Sequence, residues 1–249
     1  MASDMDRQKS KVESIARDYH GSTQADLHIE NLCQQFEIDW LRERIGYQSC
    51  VIDLGYGDGV VSPALATFTE LTVVEGSKDL CAKARKFLPP SANVVNEFFE
   101  DYSPNSLADF VVASHVLEHV DEPIQLLRRI RSWIKPDGAV IAIVPNKESI
   151  HRRIARDMGM ISKLDELSNR DLLVGHQRVY GLDELIDHFS EAGFVVEEYR
   201  GFFLKPLSNG QMLDWSIPAL KSLNEIARTS PPQLCANLAI IGKLQSETK

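Results

Sequence analysis

The sequence predicts an α/β domain built on a mainly parallel β-sheet, and three observations predict it. Short apolar runs rich in β-branched residues alternate with stretches of helical spacing. The first of these runs, Val51-Ile52-Asp53-Leu54, leads into Gly55-Tyr56-Gly57-Asp58-Gly59. Glycines at alternate positions let a strand turn sharply into a helix and leave bare backbone for a ligand. A length of 249 residues suits a single such domain with a small appendage.

In chain order, residues 26–45 have helical spacing, and Leu27, Leu32, Phe36, Trp40, Leu41 and Ile45 can share one broad apolar face. Residues 1–46 are therefore expected to form an N-terminal helical flap. A helix packed on the domain is the simpler form, and a flap over a pocket, with Tyr19 and His20 reaching inward, is the alternative. The main domain follows at 47–249. Strands are predicted at 50–54, 71–75, 93–98, 109–114 and 138–144, with helices starting near 59, 77, 121 and 146, as five successive β-α units. Asp121-Glu122-Pro123 combines an acidic cap with proline in the first helical turn, and Lys135-Pro136-Asp137-Gly138 is a stop and turn. The pattern then changes. Residues 146–180, with Arg152, Arg153, Arg156, Met158 and Met160, read as a substrate cover inserted before the sixth strand. A helix over 182–192 and a strand over 194–199 resume the core, followed by a loop at 201–209, an amphipathic helix over 211–228 and a last strand over 234–244. There are no internal repeats.

Composition narrows the function. Hydrophobic residues make up 43% and charged residues 25%, an ordinary globular balance, and the net charge of −9 disfavours broad attraction to nucleic acid or anionic lipid. Cys33, Cys50, Cys81 and Cys235 lack any C-x-x-C spacing and read as reduced thiols. Without a signal-type segment or a long apolar run, the expectation is a soluble, cytoplasmic protein that needs neither membrane nor nucleic acid, with a homodimer among its options. Histidines and cysteines show no ligand spacing, so no metal is expected.

The glycine turn departs from the dinucleotide pattern G-x-G-x-x-G, because its third glycine comes one residue early. Asp53, two residues before the first glycine, would repel a pyrophosphate. A ligand with a cationic or neutral polar end fits better.

Four segments together resemble the class I S-adenosylmethionine-dependent methyltransferases: Asp53 through Gly59, Glu75 after the second strand, Ser114-His115-Val116-Leu117-Glu118-His119-Val120 after the fourth, and Lys135 through Gly138 before the fifth. The similarity covers roughly residues 45–200 and implies a Rossmann-like, doubly wound, seven-stranded sheet whose last strand is antiparallel. It also implies S-adenosyl-L-methionine as cofactor and S-adenosyl-L-homocysteine as product. Asp53, Gly55 and Gly57 would then face the methionine moiety, a zwitterion beside a sulfonium. Glu75 would accept both ribose hydroxyls through its two oxygens. At the adenine site the segment Asn96 to Tyr102 departs from the family pattern; Glu100 is the choice for the exocyclic amine, with Phe99 beside the ring and Asp101 the close alternative. Ser114 and His115 would meet the methionine part through backbone groups, and Glu118 and His119 would border the acceptor. For His119 a loop-stabilising role competes with a catalytic one.

Methyl transfer is an in-line displacement at an activated carbon, so the protein mainly aligns the acceptor and excludes water. A hydroxyl acceptor also needs a base, whereas a neutral amine does not, and His119, His151 and His176 are the candidates. His176-Gln177-Arg178-Val179-Tyr180 places a base, a cation and a phenol within five residues of the cover. His176 is therefore grouped with Glu118 and His119 as catalytic, and Arg178 and Tyr180 with His151 and Arg152 as acceptor-binding. Lys205 to Met212 could complete the pocket. The expected activity is methylation of oxygen or nitrogen on a small polar metabolite, such as a sugar or a secondary-metabolism intermediate. A methyltransferase acting on RNA or protein, a non-catalytic S-adenosylmethionine-binding protein and a nicotinamide-dependent oxidoreductase are the rivals, the last disfavoured by Asp53.

Overall fold

The structure, a computed structural model, describes Glu13 and residues 24–245. In chain order it contains helix α1 (Gln24–Arg44), β1 (Cys50–Leu54), α2 (Val61–Leu65), β2 (Glu70–Val74), α3 (Lys78–Phe87), β3 (Asn93–Val95) and β4 (Ala108–Ser114). Then come α4 (Pro123–Ile130), β5 (Ile134–Pro145), α5 (Ile150–Asp157), α6 (Asn169–Leu173), α7 (Leu182–Glu191), β6 (Phe194–Phe202), α8 (Ile217–Ala227) and β7 (Asn237–Leu244).

The strands form one seven-stranded sheet in the order β3-β2-β1-β4-β5-β7-β6. Pairs β1–β2, β1–β4, β2–β3 and β4–β5 are parallel, whereas β7 runs antiparallel to both β5 and β6. The expected sheet with an antiparallel last strand is the one observed. Its middle strands are buried on both faces, Val111 to Ala113 and Ala139 to Val144 without a break, because helices cover each side. One apolar cluster joins the sheet to α1, α2 and α3 through Trp40, Leu41, Leu65 and Leu80. The other joins it to α4 and α7 through Leu126, Leu127, Leu185 and Phe189. Strand order reverses between β1 and β4, and ligands of such sheets bind in the crevice this reversal opens.

Several boundaries differ from the sequence reading. β3 stops at Val95, and turns fill the path to β4, so among the described residues the third unit has no helix. β5 begins at Ile134 and carries Lys135 to Asp137 as a bulge between the pairs Ala108↔Ile134 and Phe110↔Ala139. The amphipathic stretch 211–228 divides at Ser216, whose hydroxyl accepts from the Ala219 amide at 3.4 Å and, with Pro218, starts α8 afresh. Tyr19 and His20 lie outside the described residues. Helix α1 packs its Ile29, Trp40 and Leu41 into the core, followed by Ile45 just past its end, so it is docked on the domain from Ile29 onward. Its far end is pinned by Arg44, whose Nε donates to Glu198 Oε2 at 2.8 Å. Among the described residues no helix is long and apolar enough to cross a membrane.

Candidate active site

Beyond β1 the chain turns through Gly55, Gly57 and Gly59 at φ +82°, +54° and +79°, the left-handed region where a Cβ is strained. At Gly57 a Cβ would meet no atom within 4 Å, which leaves a shelf of exposed backbone. Glu75, just past β2, braces this turn. Its Oε2 accepts from the Tyr56 amide at 2.9 Å and its Oε1 from the Ser77 amide at 2.7 Å. Burial raises the Glu75 pKa, and these amides oppose the rise. The Gly57 amide also donates to this carboxylate, and a carboxylate's roughly four acceptor sites leave room beyond these three amides for a ligand hydroxyl. Asp53 lies beneath the turn, 1% exposed, with its Oδ2 accepting from Ser62 Oγ at 2.6 Å. Burial pushes its pKa up to about 7 against the pull of the Ser62 hydroxyl.

A small cavity of about 70 Å³ is lined by Gln34, Asp53, Gly55, Gly57, Ser114 and His115. Two of these residues present buried polar atoms without partners, Ser114 Oγ and Gln34 Oε1. Orphaned polar atoms beside bare backbone fit a zwitterionic ligand end, and Glu75 beside them fits a vicinal diol. The Phe99 ring stands 3.9 Å from where a Gly55 Cβ would be, beside the glycine turn. Glu100 and Asp101 are both exposed in the turn after β3.

At His115 the backbone N–H is committed, donating to the Ile143 carbonyl at 2.8 Å, which leaves the His115 carbonyl as the backbone group available to a ligand. The imidazole instead lines both this cavity and its larger neighbour, on a backbone held at φ +54°. Its Nε2 is 3.4 Å from Glu37 Oε2 and its Nδ1 3.2 Å from Glu118 Oε1. Burial depresses the His115 pKa, but the two carboxylates more than reverse this and hold it well above the ordinary value.

The larger cavity, about 440 Å³, is enclosed by α1, the 146–180 cover, Lys205 to Gly210 and Ala236-Asn237. Of the predicted acceptor residues, His151 and Arg152 line it. Burial, and then the Lys205 and Arg152 charges, drive the His151 pKa far down, so this imidazole is neutral at ordinary pH. Arg152 is also a brace. Its Nε donates to the Leu164 carbonyl at 2.9 Å, another nitrogen reaches the Glu166 carbonyl, and Nη1 is 3.5 Å from Asp171. His176 lines the cavity, with Nδ1 held 3.0 Å from Asp171 Oδ1. Buried Asp171 would titrate high, but His176 and Ser168 pull it well below the usual carboxylate range.

Two predicted acceptor contacts fall elsewhere. Tyr180 is fully buried in the apolar cluster under α7, its hydroxyl donating to the Leu117 carbonyl at 3.3 Å. A phenol is mostly apolar surface, and the core has claimed it. Arg178 gathers the carbonyls of Leu117, Val120 and Asp121, so it shapes the loop after β4 from behind. Glu118 and His119 sit in that loop. Glu118 is fully buried and His119 half-buried, and both reach the cavity through neighbours, His115 and His176. Burial lowers His119 to about 4 despite the adjacent Glu118 carboxylate. The His115 hydrogen bond and charge overcome burial to lower Glu118.

The sequence reading missed Gln34, Glu37, Arg170 and Asp171. A signal existed for two. Ser168-x-x-Asp171 is a capping box that starts α6, and Glu37 is an acid set within the apolar stripe of α1.

Comparison with known proteins agrees with this geometry. A family model described as a methyltransferase domain matches residues 26–199. The mitochondrial ubiquinone biosynthesis O-methyltransferase of Schizosaccharomyces pombe is 26% identical over 203 residues, spanning 76% of this chain and 71% of that protein. The N-terminal Xaa-Pro-Lys N-methyltransferase 1 of Danio rerio is 24% identical over 132 residues, 46% of this chain and 58% of that protein. Among solved structures, the Burkholderia thailandensis 1,6-didemethyltoxoflavin-N1-methyltransferase, with its substrate and S-adenosylhomocysteine bound, superposes with a TM-score of 0.63 at 14% identity, covering 98% of this chain and 92% of that one.

Proposed function

This chain belongs to the methyltransferase-domain family and is a class I S-adenosylmethionine-dependent methyltransferase, and from that premise we propose that it methylates a hydroxyl oxygen of a small polar metabolite. One observation carries the reading. The cavity of about 440 Å³ shares Gln34, Asp58 and His115 with the cofactor cavity, so an acceptor held there lies against the methyl-bearing end. S-adenosylmethionine supplies a methyl carbon already activated by its sulfonium. Asp53, Gly55, Gly57, Ser114 and Glu75 are the residues proposed to hold it, with Phe99 beside the adenine and Glu100 for the exocyclic amine.

Bound there, S-adenosylmethionine would supply that methyl to an acceptor oxygen in one displacement, the electron pair of the broken carbon–sulfur bond leaving with sulfur. The hydroxyl proton passes to the Glu118–His119–His176 cluster, most directly to His176, which lines the cavity. Asp171 is a positioning residue that fixes the imidazole. A nitrogen acceptor would leave this cluster without a task, which favours oxygen. The enclosing α1 and cover favour a metabolite over RNA or a protein chain, in keeping with the net charge of −9. Four free cysteines, three of them buried, favour a reducing, cytoplasmic-type compartment.

Calorimetric titration with S-adenosylhomocysteine and NAD, followed by a methyl-labelling screen of metabolite extracts, tests the proposal. Tight S-adenosylhomocysteine binding and a labelled small O-methyl product are expected. Label appearing only in RNA or protein would overturn the acceptor assignment.

A further inference from the structure

Among the described residues, Glu118, His119 and His176 bring ligand-capable atoms mutually within 4.8 Å, one each from a carboxylate and two imidazoles. These residues come from separate segments, the loop after β4 and the end of the cover, so no spacing in the sequence announces them. Each is held by a partner on its outer side. His176 Nδ1 is fixed by Asp171 Oδ1 at 3.0 Å, His119 hydrogen-bonds the Gly175 backbone, and Glu118 Oε1 is fixed by His115 Nδ1 at 3.2 Å. The two imidazoles meet edge to face with centroids 4.7 Å apart. A second observation points to a ligand. Glu118 is fully buried, yet its Oε2 has no hydrogen-bond partner. A buried carboxylate oxygen without a donor is costly, and a cation shared with the two adjacent imidazoles would satisfy it.

We propose that Glu118, His119 and His176 form a binding site for a divalent transition-metal ion, with Zn²⁺ the best chemical match, just behind the part of the acceptor-cavity wall that His176 lines. The site rests on the methyltransferase reading only for its use, not for its existence. Two imidazoles and one carboxylate are borderline ligands suited to Zn²⁺, and three protein ligands leave a fourth coordination position open. Asp171, the Gly175 backbone and His115 are the outer partners that orient metal ligands. An ion here would acidify a coordinated hydroxyl, doing with charge what His176 does as a base when no ion is bound.

The test is calorimetry of the chelator-treated chain with ZnCl₂, with CoCl₂ added separately to read the visible ligand-field spectrum. Saturable binding of a single ion and a Co²⁺ spectrum of nitrogen and oxygen ligation are expected. Both should be lost in His176→Ala and in Glu118→Gln, and Zn²⁺ affinity should weaken by roughly 10- to 100-fold in Asp171→Asn. S-adenosylhomocysteine titration of the same samples reports folding and the cofactor site. Should Glu118→Gln fail that control, His176→Ala, on the cavity wall, decides. Zn²⁺ binding that is no tighter in wild type than in His176→Ala, with S-adenosylhomocysteine binding intact in both, would overturn the metal site and leave the methyltransferase reading standing. Loss of S-adenosylhomocysteine binding in wild type, with Zn²⁺ still bound, would do the reverse.

Discussion

On the cofactor side, Glu75 and Asp53 are held by groups a few residues from the strand ends they follow: the Tyr56 and Ser77 amides and the Ser62 hydroxyl. On the acceptor side, His151, Arg170 and His176 from the cover and Lys205 from beyond β6 line one cavity, and their partners are distant in sequence or absent: Arg170 reaches Glu30 in α1, and His151 Nδ1 has no hydrogen-bond partner. The first side is an outgrowth of the sheet. The second is a treaty between loops and α1, with Arg170 Nη2 reaching Glu30 at 2.9 Å and Gln34 Nε2 reaching Asp58 at 2.8 Å. The difference teaches that the donor site can stay fixed while the acceptor site is rebuilt, since no strand has to move.

The largest expected effect separates the two sides outright. His176→Ala should cut turnover by roughly 10²- to 10⁴-fold, the usual range for a removed proton-transfer group, with S-adenosylhomocysteine affinity by calorimetry unchanged. A matching loss of cofactor affinity would break the comparison.

Glu75→Ala should do the opposite, weakening S-adenosylhomocysteine by roughly 1.5 to 3 kcal/mol while kcat at saturating donor stays close to wild type. The same variant strands the Tyr56 and Ser77 amides, so its melting temperature should fall too.

Asp53 sharpens the contrast through pH. Its folded pKa of about 7 lies above the ordinary 3.8, so the stability its proton contributes is full below about pH 4 and is lost as pH rises through 7. Relative to Asp53→Asn, the wild type should lose about 2 kcal/mol of unfolding free energy between about pH 5 and 8, measured in urea. S-adenosylmethionine carries positive charge, so its affinity should climb over the same interval in wild type and stay flat in Asp53→Asn. Parallel profiles would remove Asp53 from the binding account.

The smallest effect concerns the treaty itself. The Arg170–Glu30 pair is partly exposed, so Arg170→Ala should cost about 0.5 kcal/mol of stability. Acceptor KM should rise several-fold with donor affinity unaffected.

These two sides also differ in how much of them could be read from the chain. The strands, the glycine turn and Glu75 are local: a buried apolar run, a left-handed turn and an acid at a strand end are written in neighbouring residues. β3 misled because Phe98 brings back an apolar side chain after pairing has ended at Val95, and stretch 211–228 misled because periodicity hides the restart at Ser216. The acceptor side depends on meetings between distant residues. Glu118 and His176 are brought together only when the cover folds back, and Gln177 N–H then donates to the Glu118 carbonyl at 2.8 Å. Within one polar pentapeptide, His176 reached the cavity while Arg178 and Tyr180 were spent on the loop and the core. Nothing in the residue types distinguishes them, because the choice is made by which way the backbone leaves α6.

Helix α1 carries a kinetic consequence. Gln34 belongs to both cavities, and its neighbour Cys33 and Glu30, one turn away on the same rigid rod, line the acceptor cavity. A rod that touches both occupants makes their arrivals sequential, so the donor should load first and its spent form leave last. Initial-rate patterns should show S-adenosylhomocysteine competing with S-adenosylmethionine and inhibiting noncompetitively against the acceptor, and shortening the Gln34 side chain to alanine should relax that order toward random entry.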